Sequence, residues 1–328
     1  MRIPGVHTIR IPTPFPVGTI NVYLIEAPCL TLIDVPPNDP ISYRHLSADL
    51  KQKGYSFNDI KRIIVTHPHF DHYGLASRII KHSNAEVWAF RGGAHYFENF
   101  PDEFEADFVH YASLLEQAGA PRKGSDYLDG FYQSILRFSG KVKISRYLED
   151  GDTLELGSTP FTVVHVPGHT PWCIMLYDHH RQIGFTGDFL IKDISSNAVL
   201  QRPGRGLDEY KSLKAYVLSL QKTKLLGIET ALPGHAEPIW DAGKRIDEML
   251  YSIENRKRQI LALVNRFGPC TPFDLMTQLF PDLHDWQVFL GVSEIIGHLE
   301  LLEDEGLVQR QRETHVFSML SPLSKNIL

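Results

Sequence analysis

The chain has 328 residues, 43% of them hydrophobic and 22% charged, with a formal net charge of −6. This suits one large soluble domain, or a large domain with a small one attached, and leaves no general basic field for attracting polyanions. Cys29, Cys173 and Cys270 lie far apart with no CxxC pair, which argues against a disulfide framework or a thiolate zinc site and fits a reducing cytoplasm.

The N-terminal stretch MRIPGVHTIRIPTPFPVG lacks a basic segment followed by an apolar run, so no signal peptide is expected. No apolar run approaches bilayer-spanning length, and the expected location is cytoplasmic. VHTIRIP, TINVYLIEA and CLTLIDVP are branched and aromatic runs bounded by Pro and Gly, as strands are. ISYRHLSADLKQKGY has helical spacing, and KRIIVTH reads as a buried strand. LASRIIKHS then reads as a helix and AEVWAF as a strand.

Residues 91–145 read as a helical insertion rich in aromatics: Tyr96, Phe97, Phe100, Phe104, Phe108, Tyr111, Tyr127, Phe131, Tyr132 and Phe138. These either pack against one another or line an apolar pocket as a lid. Strands resume at DTLELG, FTVVHVPG, CIMLYDH and IGFTGDFLI, followed by the helix LDEYKSLKAYVLSLQKT and the short strand of GIETALPGH. The second alternation resembles the first, so two sheets with helices outside them are expected. From residue 241 the pattern is three helices and a hairpin, the order of a winged-helix module. Thr271 reads as an N-cap with Pro272 at N1, and Gly306 closes the third helix. The expected division is a catalytic domain over residues 1–240 and a winged-helix-like domain over residues 241–328.

THPHFDHYG, residues 66–74, places His67, His69, Asp71 and His72 side by side. So many imidazoles around a carboxylate make poor core and poor helix, but they suit a shared cation. Alternation along an extended segment aims His67 and His69 the same way. The turn after them lets Asp71 and His72 face a second position. Each zinc-like site then needs about two more ligands. His169 in HVPGHT, Asp188 in FTGDFL and His235 in LPGHAEP each follow a strand and a Gly turn, so all three can converge at one sheet edge. A carboxylate such as Asp188 can bridge two cations, which an imidazole cannot. His165 is expected to face away, and isolated histidines such as His95 and His298 read as ordinary solvated side chains.

THPHFDHYG, VPGHTP, FTGDF and LPGH, with Asp34 of LTLIDVP ahead of them, resemble the ordered motifs of the metallo-β-lactamase superfamily over residues 5–240. The resemblance implies an α/β fold, an αββα sandwich with the metal site at the sheet edges. It implies that His67, His69 and His169 hold one metal and Asp71, His72 and His235 a second, with Asp188 bridging. Asp34 would hold a ligand imidazole or the hydrogen bonds around it. His69 stands where the diiron flavoprotein branch has a glutamate, and no cysteine takes a ligand position. The pattern is similar to that of the glyoxalase II-like hydrolases, lactonases and ribonucleases. It departs at LIDVPP, where Pro36 and Pro37 follow the aspartate instead of a glycine.

The implied cofactors are two divalent cations, zinc first by ligand type, with manganese or iron also fitting. They would make hydroxide available near neutral pH for attack on a small ester, thioester or lactone. Asp71 would orient that hydroxide or accept its proton. No GxSxG nucleophile elbow is present. The alternatives are an endoribonuclease of the same fold, a mononuclear iron persulfide dioxygenase and a non-catalytic binding protein. From Glu254 to Leu328 seven basic residues stand against ten acidic ones, so the tail reads as a packing or homodimerisation module rather than a nucleic-acid reader.

Overall fold

The Pro- and Gly-bounded apolar runs become strands in a computed structural model of the chain, which describes residues 5–13, 15, 18–193, 197–311 and 316–320. One sheet holds β1 (Val6–Pro12), β2 (Thr19–Ile25), β3 (Thr31–Ile33), β4 (Arg62–Val65), β5 (Glu86–Phe90) and β6 (Arg146–Leu148) side by side in that order. β1 to β3 pair antiparallel, and β3 to β6 pair parallel. The second sheet runs β11 (Thr230–Pro233), β10 (Ile183–Gly187), β9 (Ile174–Asp178), β8 (Thr159–His165), β7 (Thr153–Leu156), with only β10 and β11 parallel. β6 has no counterpart in the sequence reading. Its three residues, RYL, are too few to show alternation, and two of them are exposed.

The two sheets share one apolar core. Tyr23, Ile25, Ile33, Ile64, Trp88 and Leu148 of the first meet Leu154, Leu156, Phe161, Val163, Leu176 and Phe185 of the second. Spacings of two, as in Leu154 and Leu156 or Phe161 and Val163, put these side chains on one face of each strand. Helix α1 (Pro40–Gln52) packs on β1 and buries Leu46 and Leu50. Asp39 caps it by accepting from the amides of Ile41 and Ser42 at 2.8 and 3.2 Å. Next come α2 (Phe70–Tyr73), α3 (Ala76–Ser83), closed by left-handed Asn84, and α4 (Ala94–Glu98).

These strands belong to a compact unit made of Met1–Phe104, Gln133–Ser196 and Ser219–Ile246. A second unit gathers Glu105–Tyr132, Asn197–Leu218 and Asp247–Leu328. Its elements come from α5 (Asp102–Gln117), α6 (Gly124–Phe138), α7 (Ser212–Leu225), α8 (Ala242–Phe267), α9 (Pro272–Leu279), α10 (Trp286–Asp304) and the antiparallel pair β12 (Val308–Gln311) and β13 (Val316–Met319). The insertion and the tail therefore share a core: Leu115, Tyr127 and Leu128 cluster with Ile260, Leu275, Leu299, Leu302 and Phe317.

The insertion aromatics pack. Phe131 stacks on Trp286 at 4.8 Å, Tyr111 meets Phe289 at 4.5 Å, and Phe108 stacks on Tyr132 at 4.7 Å. In the first unit Tyr96 meets Phe104, and Phe97 meets Tyr73. Thr271 and Asp274 form a capping box at the start of α9, with Pro272 at N1. The turn of the last hairpin, at Glu313–His315, lies outside the described residues. His298 departs from the solvated reading. It is fully buried on α10, its Nδ1 2.8 Å from the carbonyl of Glu294. Among the described residues no helix is long and apolar enough to cross a membrane.

Candidate metal centre

Strand direction assembles the site. β3 and β4 run parallel, as do β10 and β11, and two antiparallel steps through β9 turn β8 the same way as β10. The ends of these strands carry Asp34, His67, His169, Asp188 and His235. α2, immediately after His69, adds Asp71 and His72.

All seven proposed ligands come together. Three sets have their ligand atoms within 4.8 Å of one another: His67, His69 and His169; His67, His72 and Asp188; and Asp71, His72 and His235. His169 Nε2 lies 2.9 Å from His69 Nδ1, and His72 Nε2 lies 3.2 Å from His235 Nε2. Asp188 stands between the two histidine groups. Its oxygens are 3.3 Å from His72 Nε2, 3.6 Å from His235 Nε2 and 3.8 Å from His169 Nε2. Asp71 Oδ2 lies 3.4 Å from His235 Nε2.

The far side of each ring decides what the near side offers. His72 Nδ1 donates to Asp34 Oδ2 at 2.8 Å, and His235 Nδ1 donates to the carbonyl of Thr19 at 2.8 Å. Each Nε2 therefore points inward as a lone pair. His67 Nε2 is buried and has no hydrogen-bond partner among the described residues. Lone pairs and carboxylate oxygens facing one another at these distances fit a divalent cation and no neutral packing.

The electrostatics agree. Burial pushes His69 down to about 3, with the His169 imidazole adding to it, and burial likewise lowers His67. Burial opposes the ionised form of Asp71, but the His72 and His235 imidazoles outweigh it and bring the carboxyl to about 2. Asp188 is lowered in the same way, its burial outweighed by His235 and His72. Burial works against charge on His72 and His235 too, yet Asp188 and the other carboxylates raise both.

The turns leave room for this. A Cβ on Gly234 would stand 2.5 Å from His72 Cε1 and 2.6 Å from Asp188 Oδ1, so LPGH needs its glycine for close approach. Asp34 itself adopts φ 56°, the left-handed conformation usually left to glycine. The LIDVPP loop is tied down on both sides of it. The Asp34 and Val35 amides donate to Ile64 and His72, and Pro36 accepts from the Leu75 amide.

Sequence reading missed four residues here. Thr66 donates its amide and its hydroxyl to the two oxygens of Asp34, each at 2.8 Å. Asn21 and Tyr23 of β2 clamp the LPGHA turn, donating to Pro233 and, from Asn21, also to Ala236. Thr19 orients His235. Only Thr66 had a local signal, a hydroxyl between an apolar strand and the cluster. His165 stays outside the site, its Nε2 2.7 Å from the carbonyl of Pro171. Cys173 is buried, its thiol pushed up to about 12 by that burial, and it belongs to none of the three ligand sets.

The family model of the metallo-beta-lactamase superfamily matches residues 16–235. The chain is 30% identical to the probable metallo-hydrolase YqjP of Bacillus subtilis, over 93% of this chain and 94% of that protein. It is 30% identical to the hydroxyacylglutathione hydrolase GloC of Haemophilus influenzae, over 41% of this chain and 51% of GloC. It is also 30% identical to the acyl-coenzyme A thioesterase MBLAC2 of Gallus gallus, over 52% of this chain and 55% of that protein. The crystal structure of a metallo-beta-lactamase family protein of Thermus thermophilus superposes with a TM-score of 0.82 at 27% identity, covering 97% of this chain and 99% of that one.

Proposed function

The chain belongs to the metallo-β-lactamase superfamily, and from that premise we propose that it is a dinuclear metal-dependent hydrolase of a small ester, thioester or lactone. The observation that carries this is the pair of histidine groups with Asp188 between them. In this reading His67, His69 and His169 would hold one divalent cation and Asp71, His72 and His235 the other, with Asp188 placed to serve both. Zinc is the first choice for imidazole and carboxylate ligands. Bound cations of this kind supply Lewis acidity, polarising a carbonyl and making hydroxide available near neutral pH. Asp71 is the most exposed of the carboxylates at the site, with 14% of its side chain accessible. Its ionised form can orient a water and accept its proton. Asp34 and Thr19 hold ring tautomers, and Gly234 leaves the ligands room to close.

Thioesters come first because the similar proteins include an acyl-coenzyme A thioesterase. The order α8, α9, α10, β12, β13 reads as a winged-helix-like module that packs rather than reads nucleic acid. Lys257 pairs with Glu254 and Glu305, Arg258 with Glu254, and Arg256 lies 3.9 Å from Glu294. These basic residues already face carboxylates, which weakens the ribonuclease alternative.

The test is turnover of a thioester, a lactone and a labelled single-stranded RNA by zinc-loaded protein, with Asp188→Ala as control. Acyl turnover lost in the variant supports the hydrolase. RNA cleavage alone, lost in the same variant, overturns it. A stoichiometry of one iron with no second cation would favour the dioxygenase alternative.

A further inference from the structure

We infer that Thr66 is a positioning residue which, with Asp34, sets the tautomers of one imidazole in each half of the site from a single carboxylate. The inference rests on the dinuclear reading for its metal readout, but not for its tautomer readout.

The hydroxyl of Thr66 lies 2.8 Å from Asp34 Oδ2 and 3.1 Å from His67 Nδ1. It has one proton, and a carboxylate can only accept, so that proton goes to Asp34. Towards His67 the hydroxyl can then only accept, and the ring must carry its proton on Nδ1. This leaves His67 Nε2 as a bare lone pair, in keeping with its buried position and its lack of a partner among the described residues. The same Oδ2 accepts from His72 Nδ1 at 2.8 Å. His72 is thus held directly and His67 through one hydroxyl. Asp34 and Thr66 are both 2% exposed, so water does not compete for these bonds. The hydroxyl also needs the bare Gly187 beside it, because a Cβ there would stand 2.4 Å from Thr66 Oγ1.

The relay predicts a selective effect. Thr66→Val keeps the branched shape and the amide bond to Asp34 and removes only the hydroxyl. Histidine ring-nitrogen NMR on the metal-free protein should show His67 moving its proton from Nδ1 to Nε2 in this variant, while His72 is unchanged. Zinc titration against a competing chelator should show the cation at His67, His69 and His169 weakened by about ten- to a hundredfold. The cation at Asp71, His72 and His235 should stay within about twofold, since its outer-shell bonds are intact. Thr66→Ser should restore both readouts, and Asp34→Asn should weaken both cations. An unchanged His67 tautomer in Thr66→Val, wild-type affinity for both cations, or equal loss of both would overturn the relay. If the wild-type protein binds fewer than two cations, the dinuclear reading fails, and the metal-free tautomer still decides the role of Thr66.

Discussion

Around His67 and His235 the side chains are polar, few and aimed at one another, with the rings of His67, His72 and His235 each held from behind by a named acceptor. Around Leu299 and Phe317 in the second unit they are apolar and numerous, drawn from the insertion and the tail. The first arrangement sets acceptor against acceptor and needs a cation to be comfortable. The second gains from every methyl group removed from water. Binding chemistry and stability are therefore expected to separate in this molecule, and substitutions in the two regions should fail in different assays.

The sharpest break comes at Gly234. Gly234→Ala drives a methyl group into His72 and Asp188 together. Metal affinity should fall by about a hundred- to ten-thousandfold, two ligand displacements each of the size an outer-shell change produces, and acyl turnover should disappear. Chelator competition checks the first and a thioester assay the second, while the urea midpoint of the metal-free protein should move little. Leu299→Ala should do the reverse. Leu299 is fully buried, so its truncation should cost about 2–5 kcal/mol in chemical denaturation, with zinc affinity unchanged under folding conditions.

Glu300 sharpens the comparison within the apolar region. Burial pushes its carboxyl up from 4.5 to about 7, against the weaker pull of Lys211 and Arg310, and its Oε2 has no hydrogen-bond partner among the described residues. The folded chain thus keeps this proton to a higher pH than the unfolded chain does. Its contribution to stability is full below the ordinary carboxyl range and is lost as pH rises to about 7. Glu300→Gln removes that loss. Its unfolding free energy relative to wild type should climb between pH 4.5 and 7 by at most about 3 kcal/mol and then level off. A difference curve that is flat across this window would sink the assignment. The smallest effect belongs to Thr271→Ala, which opens the capping box of α9 and should cost about 1 kcal/mol with no change at the metal centre.

The two regions also differed in what could be read from residues alone. His169, Asp188 and His235 were legible because each follows a strand and a Gly turn, a signal a few residues long. Thr19 and Asn21 were not, because their role depends on β2 lying beside the turn at His235, a pairing that no local pattern announces. Thr66 sat in plain view, but its function needs the bond to Asp34, 32 residues away. In the second unit the helices and the Thr271 cap were legible, since capping is local. That Phe131 would stack on Trp286 was not, because an apolar side chain does not name its partner. The short β6 escaped for want of length.

His69 and His169 are 100 residues apart in the chain, and His72 and His235 are 163 apart. Closing such long loops is slow and comes after local structure. During synthesis the group of Asp71, His72 and His235 cannot be complete until the segment around residue 235 has emerged and β11 has joined β10. A cation met before residue 169 has emerged would find only the THPHFDH fragment, four donors without their counterparts. The full set of seven ligand side chains therefore exists only once β11 has joined the sheet.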